Sequence, residues 1–193
     1  MEILDGTYHS PRNVRDCLQD FNLLVSTPRN RERAAISEVK YFIGDLLEDE
    51  NLDIEKTNVS GLVTCKTSLN PFQVVHKLEE FAEQNPFQFR FAIKFTPLEI
   101  CVESEIEKMV QAAEELQDKM EEDETFRVTV RKRHSDLDHM EIVNEVAKVF
   151  NNEVDLEEPD KIVWLEVIGE KTGVSILKEE QDILSIMPMR EEE

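Results

Sequence analysis

Cysteine, glycine and long apolar runs are scarce in this sequence, and each shortage excludes a class of protein. The 193 residues include three cysteines and five glycines. The cysteines lie far apart and form no CxxC pair, which argues against a disulfide framework and against a zinc ribbon. Five glycines provide no phosphate-cradling loop. No apolar run reaches the ~18 residues that a transmembrane helix needs, so the sequence predicts a protein without a membrane span.

Catalytic signatures are absent as well. The chain has no GxSxG, GxxxxGK[ST], GxGxxG or HExxH motif. Its first residues lack a basic n-region and an apolar h-region, so we expect no signal peptide. These observations predict a non-enzymatic, cytoplasmic protein without a cofactor or a metal site.

Positive charge is in short supply. There are 22 lysines and arginines against 43 acidic residues, and the formal net charge is -21. Such an excess argues against a general nucleic-acid binder and against a protein held on an anionic membrane. Residues 101–125 and 179–193 carry -8 and -5 of this charge. The remainder of the chain is therefore only mildly acidic.

One basic cluster stands out within this acidic background. It consists of Arg127, Arg131, Lys132, Arg133 and His134. Apolar and polar residues alternate from Phe126 onward, which predicts a half-buried strand with arginines opposite the core. The charges can protect an edge strand from pairing with other chains, or they can hold successive phosphates. Because the field at a site depends mostly on charges within a Debye length of ~8–10 Å, an acidic protein can still bind RNA through such a cluster. Composition leaves both interpretations open.

The first half of the chain predicts a ferredoxin-like domain over residues 21–97, after a flexible arm over residues 1–20. The apolar patterns and turn residues predict the order β-α-β-β-α-β. The predicted elements are a strand from Phe21 to Ser26, a helix over residues 28–48 capped by Thr27, a hairpin of residues 52–56 and 61–66, a helix from Pro71 capped by Asn70, and a strand from Phe87 to Phe95.

The second half restarts after Pro97 and predicts an α/β domain over residues 98–178. We expect a helix over residues ~103–121 with an acidic outer face. The strand of the basic cluster follows, then a helix capped by Ser135, a central strand from Ile162 to Ile168, and a strand from Thr172 to Leu177. Residues 179–193 form an acidic tail in this interpretation. No Gly/Ser-rich linker separates the two halves, so we expect an α+β protein whose domains pack on each other.

Three other segments carry weaker hypotheses. Residues 134–139 contain metal-compatible side chains, but we interpret them as a capped helix start with solvated acids, because no second ligand cluster completes a site. The loop at residues 27–30 is similar to the anion loop of acylphosphatase-type enzymes, without its glycines. The acidic helix face is either a solvated surface or a docking face for a basic protein.

Several separated elements of the second half resemble the THUMP domain. They are the strand from Phe126 to Arg133, the helix through Ile142 and Val146, the turn Val154-Asp155-Leu156-Glu157-Glu158-Pro159, and the strand Ile162–Ile168 with its Glu166. The upstream unit resembles the ferredoxin-like domain that precedes THUMP domains. The junction from Thr96 to Cys101 is similar to that of stand-alone THUMP proteins that assist a tRNA cytidine acetyltransferase. The resemblance covers residues 21–178.

The resemblance implies a tRNA-binding module that recognises the single-stranded 3′ end of the acceptor stem. Only 15 residues follow Lys178, so we expect an adaptor that presents tRNA to a modifying enzyme in trans, a cytidine acetyltransferase. The basic cluster would hold phosphates, and His134 would contact unpaired nucleotides. The alternatives are a protein–protein regulatory module without RNA contact and an acylphosphatase-like hydrolase.

Overall fold

The computed structural model describes residues 18–191, and its first part is a β-α-β-β-α-β unit. The predicted arm therefore lies outside the described residues, apart from residues 18–20. The elements are β1 (Leu23–Ser26), α1 (Glu32–Val39), β2 (Asp53–Lys56), β3 (Leu62–Lys66), α2 (Pro71–Gln84) and β4 (Lys94–Pro97). The strands lie in the order β2-β3-β1-β4, and every neighbouring pair is antiparallel. Both helices pack on one face of this sheet.

The start of α2 confirms the sequence prediction. The side chain of Asn70 accepts hydrogen bonds from the backbone N–H groups of Phe72 and Gln73, at 3.0 and 3.2 Å. Pro71 occupies the first helical position, where its missing N–H is not needed. Such a cap stabilises a helix by about 1 kcal/mol.

The start of α1 differs from the sequence prediction. Thr27 does not cap this helix, which begins at Glu32 and continues beyond Val39 as a π-helical segment, Lys40–Leu46. Asn30 adopts a φ of 63°, outside the helical range. The buried Glu32 carboxylate accepts hydrogen bonds from the N–H groups of Asn30 and Gly61 and holds this turn in place.

The strand predicted from Phe87 to Phe95 is also wrong for most of its length. Pro86–Gln88 form a short 3-10 turn, Phe87 is exposed, and the strand begins only at Lys94. The Glu38 carboxylate accepts hydrogen bonds from the N–H groups of residues 90, 91 and 92, at 3.0, 2.8 and 2.8 Å. These donors are therefore satisfied in a turn instead of a β-ladder.

The second part of the chain forms a four-stranded sheet with two helices on one face. Its elements are β5 (Ile100–Glu103), α3 (Ile106–Glu115), β6 (Phe126–Arg133), α4 (His139–Ala147), β7 (Lys161–Ile168) and β8 (Lys171–Leu177). The order is β5-β8-β7-β6, so the predicted central strand β7 is confirmed. The α4 helix is capped by Asp138, not by the predicted Ser135, because the Asp138 carboxylate accepts a hydrogen bond from the N–H of Glu141 at 2.8 Å.

None of the helices within residues 18–191 is long and apolar enough to cross a membrane.

The segment after β8 is packed instead of forming the expected acidic tail. It contains α5 (Glu179–Asp182), β9 (Leu184–Ser185) and α6 (Ile186–Met189). β9 pairs antiparallel with β4, and Leu184 and Ile186 are buried in the core of the first sheet. The chain thus returns to the N-terminal unit and extends its sheet to five strands.

The two sheets meet through apolar side chains, which confirms that the halves pack on each other. The shared core is Phe21, Leu24, Leu62, Leu98, Ile162, Trp164, Ile168, Leu177 and Ile183. Gly173 lies at this contact. A Cβ atom added there would stand 2.6 Å from Cδ1 of Leu98 and 3.0 Å from Cε2 of Phe21. The close approach of the two layers therefore requires a residue without a side chain.

Candidate nucleic-acid interface

The basic cluster lies on an edge strand. β6 pairs with β7 in parallel register, and on its other edge the described residues add only an isolated parallel bridge between Phe126 and Val154. Phe126 and Val130 are buried in the core beneath α3 and α4. Arg127, Arg131 and Arg133 alternate with them and lie on the opposite face. The predicted alternation is confirmed, and this second face is the one turned toward the N-terminal unit.

Arg133 is bound by a buried carboxylate. Its guanidinium forms an ion pair with Oε2 of Glu166, and the Glu166 side chain is 4% exposed. The other oxygen of Glu166 accepts a hydrogen bond from Nε1 of Trp164 at 2.8 Å. Both oxygens of a buried charge are thus satisfied, as a desolvated carboxylate requires. Arg133 therefore neutralises a structural carboxylate.

Arg131 lies two residues earlier on the same face and has a different partner. Its Cζ lies 5.6 Å from the ring centroid of Trp164, within the range of a cation–π contact. The residue is exposed. None of the ion pairs within residues 18–191 includes Arg131. Its charge remains available to an anion.

Arg127, at the other end of β6, is already engaged. Nη2 forms an ion pair with Glu179 at 2.9 Å, and Nη1 donates to the carbonyl oxygen of Leu156 at 3.2 Å. Glu179 belongs to α5, which the sequence interpretation placed in an acidic tail. The C-terminal segment thus occupies the first arginine of the cluster.

Lys132 and His134 complete the predicted set and point to different surroundings. The ammonium of Lys132 donates to the carbonyl oxygen of Leu137. His134 follows the strand, is exposed, and adopts a φ of 53°. This left-handed conformation turns the chain directly after β6, and the carbonyl of Arg133 accepts from the N–H of Gly169 at 2.9 Å. The five residues therefore do not form one patch.

A cleft opens beside His134, between the two units. Its volume is about 280 Å³. One wall is Lys56 at the end of β2 with Asn58 and Val59 of the β2–β3 loop, and the other carries His134 and Ile168. Its lining is mainly polar and includes Glu55 and Glu170, and its volume lies just below the roughly 300–1,000 Å³ that is usual for ligand clefts. The cleft is large enough to hold a single nucleobase.

The loop at residues 27–31 does not offer an open anion site. The N–H of Thr27 donates to the carbonyl of Gly61, the N–H of Asn30 to Glu32, and the N–H of Arg31 to the carbonyl of Pro28. Three of the N–H groups that an acylphosphatase-type loop would direct at a phosphate are therefore engaged internally. Over the described residues, no three His, Cys, Asp or Glu side chains are grouped as metal ligands.

Comparison with known proteins assigns the second sheet and its helices to a family. Residues 103–177 match the THUMP domain. This stretch runs from the end of β5 to the end of β8 and includes α3, β6, α4, β7 and β8. The chain contains a THUMP domain. The boundaries of 98–178 predicted for this domain from the sequence differ from the match by a few residues.

Relatives extend the likeness to both sheets. MJ0421, an uncharacterised protein of Methanocaldococcus jannaschii, is 26% identical over 158 residues, which cover 79% of this chain and 40% of that protein. PH1313 of Pyrococcus horikoshii has a TM-score of 0.59 at 20% identity, over 84% of this chain and 54% of that one. A 4-thiouridine synthetase, crystallised with RNA and ATP, has a TM-score of 0.55 at 15% identity, over 86% and 42%. The chain spans about half the length of these proteins, and the structural likeness establishes a shared fold.

The THUMP turn at residues 154–159 is rigid and carries an exposed leucine. The Asp155 carboxylate accepts from the N–H groups of Glu158 and Glu157, at 3.0 and 2.9 Å. These two backbone hydrogen bonds hold the pKa of Asp155 below its usual value. Leu156 is 72% exposed, and its carbonyl is the acceptor for Arg127. The turn thus fixes the Arg127 end of β6.

One basic residue close to β7 was not predicted from the sequence. Nζ of Lys94, in the N-terminal sheet, lies 5.8 Å from the ring centroid of Trp164, the ring that Arg131 also contacts. In the sequence, Lys94 is one polar position in an alternating stretch, with no basic neighbour closer than Arg90. No local signal relates it to a strand more than 30 residues away.

Proposed function

We propose that this chain is a tRNA-binding adaptor, which holds tRNA through its THUMP domain and presents it to a separate tRNA-modifying enzyme. The THUMP match over residues 103–177 supports the proposal, as does the shared fold with a synthetase that was crystallised with RNA. In this proposal the chain supplies binding and orientation, and the partner supplies the catalytic groups.

The observation that carries the proposal is the charge of Arg131 on β6, which has no ion-pair partner within residues 18–191. Arg127 and Arg133 have glutamate partners, whereas Arg131 is exposed and lies outside the ion pairs of the described residues. An arginine offers a planar set of N–H donors that matches a phosphate. Contacts of this kind position a nucleic acid on a protein without reading its sequence.

The cleft beside His134 is the proposed site for the unpaired 3′ nucleotides. Unstacked bases offer edges and faces that a duplex hides, and such bases are what proteins read in single-stranded RNA. In this proposal His134 and Asn58 contact a base between the apolar side chains of Val59 and Ile168, which line the cleft. Recognition of a free 3′ end would distinguish tRNA from duplex nucleic acids.

The partner enzyme in this proposal is a tRNA cytidine acetyltransferase. The similarity of the junction at residues 96–101 to stand-alone THUMP proteins supports this assignment. Exposed acidic residues of α3, among them Glu107, Glu114 and Glu115, provide a negatively charged surface that would meet a basic face of the enzyme.

We further interpret the N-terminal unit as ferredoxin-like, because its strand order β2-β3-β1-β4 with antiparallel neighbours fits the split β-α-β arrangement.

A filter-binding titration tests RNA binding. Intact tRNA should bind more tightly than tRNA trimmed of its unpaired 3′ nucleotides, and duplex DNA should bind most weakly. Since few phosphates are contacted, the slope of log K against log salt should be shallow, roughly -2 to -4. Arg131→Ala should weaken binding, whereas Lys77→Ala, on the exposed side of α2, is the matched control. Equal affinity for tRNA and DNA with a steep slope would contradict the proposal.

The adaptor role needs a second assay. Acetylation of tRNA by the candidate enzyme is measured with and without the chain, and Arg131→Ala should reduce the stimulation together with tRNA affinity. Stimulation that persists in a variant unable to bind tRNA would instead indicate a protein–protein regulatory module.

A further inference from the structure

Two cations from different sheets lie against one indole ring. Nζ of Lys94 is 5.8 Å and Cζ of Arg131 is 5.6 Å from the ring centroid of Trp164. Lys94 opens β4 of the N-terminal sheet, and its side chain lies on the face opposite that of Phe95, which is buried beneath the helices. Trp164 is 1% exposed, so no nucleobase can stack on it. The junction therefore presents charge to a ligand.

Neither cation is neutralised by a carboxylate in the part of the chain that the structure describes. The ion pairs found there include Arg127 and Arg133 and omit Lys94 and Arg131. Two like charges held at a common ring raise the local positive potential. An anion bound beside the two cations would reduce this positive potential and would therefore be stabilised there.

The geometry also keeps the donors of both cations available. No hydrogen bond within residues 18–191 engages the guanidinium of Arg131, so its planar set of N–H donors is open to a ligand. The lysine ammonium has three donors and no acceptor. Trp164 is itself held in place, because its Nε1–H is bonded to the buried Glu166. The ring therefore acts as a fixed support for both side chains.

We propose that Lys94 and Arg131 together form a phosphate site at the junction of the two sheets and hold the backbone of bound tRNA there. The proposal rests on the proposed function and adds to it a residue outside the THUMP domain. It makes the N-terminal unit part of the RNA-binding surface. It also makes binding depend on how the two units are packed, since each contributes one of the two cations.

Neutral and conservative variants of Lys94 test the site. Lys94→Met keeps most of the aliphatic stem over Trp164 and removes the charge, and Lys94→Gln is a second neutral variant. Each should weaken tRNA binding about tenfold and lower the magnitude of the salt slope by about 1, the signature of one lost phosphate contact. Lys94→Arg should keep most of the affinity. Lys77→Met, on α2 in the helical layer of the same unit, makes the same charge change away from the junction and should alter affinity less than about twofold.

The tryptophan supplies an independent readout. Trp164 is the one tryptophan of the chain. Fluorescence excited at a wavelength that tryptophan absorbs and tyrosine does not therefore reports on this junction. Its emission should change during a tRNA titration, with the same midpoint as filter binding and with a smaller amplitude in Lys94→Met. Thermal unfolding shows that each variant is folded before binding is measured.

The outcomes separate this site from the proposed function. Equal affinities and salt slopes for wild type and Lys94→Met would overturn the phosphate site, and tRNA binding by the THUMP domain would still stand. Equal losses in Lys94→Met and Lys77→Met would overturn it too, because net charge alone would then explain both. A wild-type chain that binds no tRNA would overturn the proposed function and this site together.

Discussion

Arg131 and Arg133 are two residues apart on one face of β6, and we expect replacement of Arg133 to lower stability and replacement of Arg131 to lower tRNA affinity. Arg133→Met leaves the buried Glu166 carboxylate without its ion-pair partner. Breaking a buried pair costs about 3–5 kcal/mol. The Arg133 side chain is 30% exposed, so water can partly replace it and we expect a loss of about 2–4 kcal/mol. For a protein of this size, the midpoint of thermal unfolding should fall by about 2–4 °C for each kcal/mol.

Arg131→Met should leave stability almost unchanged and weaken tRNA binding. The variant loses a cation–π contact worth about 0.5–1 kcal/mol at an exposed site. It also loses one charge-assisted phosphate contact, so tRNA affinity should fall about tenfold. Arg133→Met, assayed at a temperature where it is folded, should keep most of its tRNA affinity.

Thermal unfolding and filter binding on the same samples measure both effects. Glu166→Gln provides a matched test of the cause, because it removes the buried charge while its amide oxygen can still accept from Trp164. The Arg133→Met stability loss should therefore be smaller in the Glu166→Gln background than in wild type. If Arg131→Met and Arg133→Met lower stability and affinity in parallel, the separation of their roles is wrong.

Three further predictions follow from other contacts. Gly173→Ala should destabilise the chain by about 1–3 kcal/mol, measured by urea unfolding, because the new Cβ would stand 2.6 Å from Leu98; a wild-type midpoint would contradict the close packing of the sheets. The backbone hydrogen bond from Gly61 lowers the pKa of Glu32, so its stabilising effect is present at neutral pH and is lost as the pH falls through that lowered pKa. Glu32→Gln should therefore flatten the acid side of the stability–pH profile, and an unchanged acid limb would refute this. Removing residues 179–193 should expose Arg127 and also unfold the edge of the N-terminal sheet. A cooperative, wild-type-like melt of the truncated chain would contradict the packing of β9.

Local signals in the sequence were sufficient for several elements. The Asn70-Pro71 start predicted the cap of α2, since capping depends on side-chain and backbone atoms within one turn. The near-continuous apolar run from Ile162 to Ile168 predicted a central strand, because only a strand buried on both faces carries one. The separated motifs of the second half indicated a THUMP domain, which the match over residues 103–177 confirms.

Elements that depend on distant partners were not predictable in this way. The alternation from Phe87 to Phe95 has strand periodicity, yet Glu38, some 50 residues away, captures the N–H groups of residues 90–92. Residues 179–191 have no regular apolar period, yet Leu184 and Ile186 are buried where β9 meets β4. In both cases a contact far along the chain overrides the local pattern.

The candidate site shows the same division most clearly. The sequence by itself determined that β6 is an alternating strand whose arginines share a face, because the side-chain period of a strand is two. Only the tertiary structure decided which of these charges has no ion-pair partner among the described residues. Glu179 engages Arg127 and Glu166 engages Arg133, each from more than 30 residues away, while Lys94 of the other sheet lies against the same indole ring as Arg131. Periodicity assigns a residue to a face of its own strand, whereas its partner there is set by how separate elements pack.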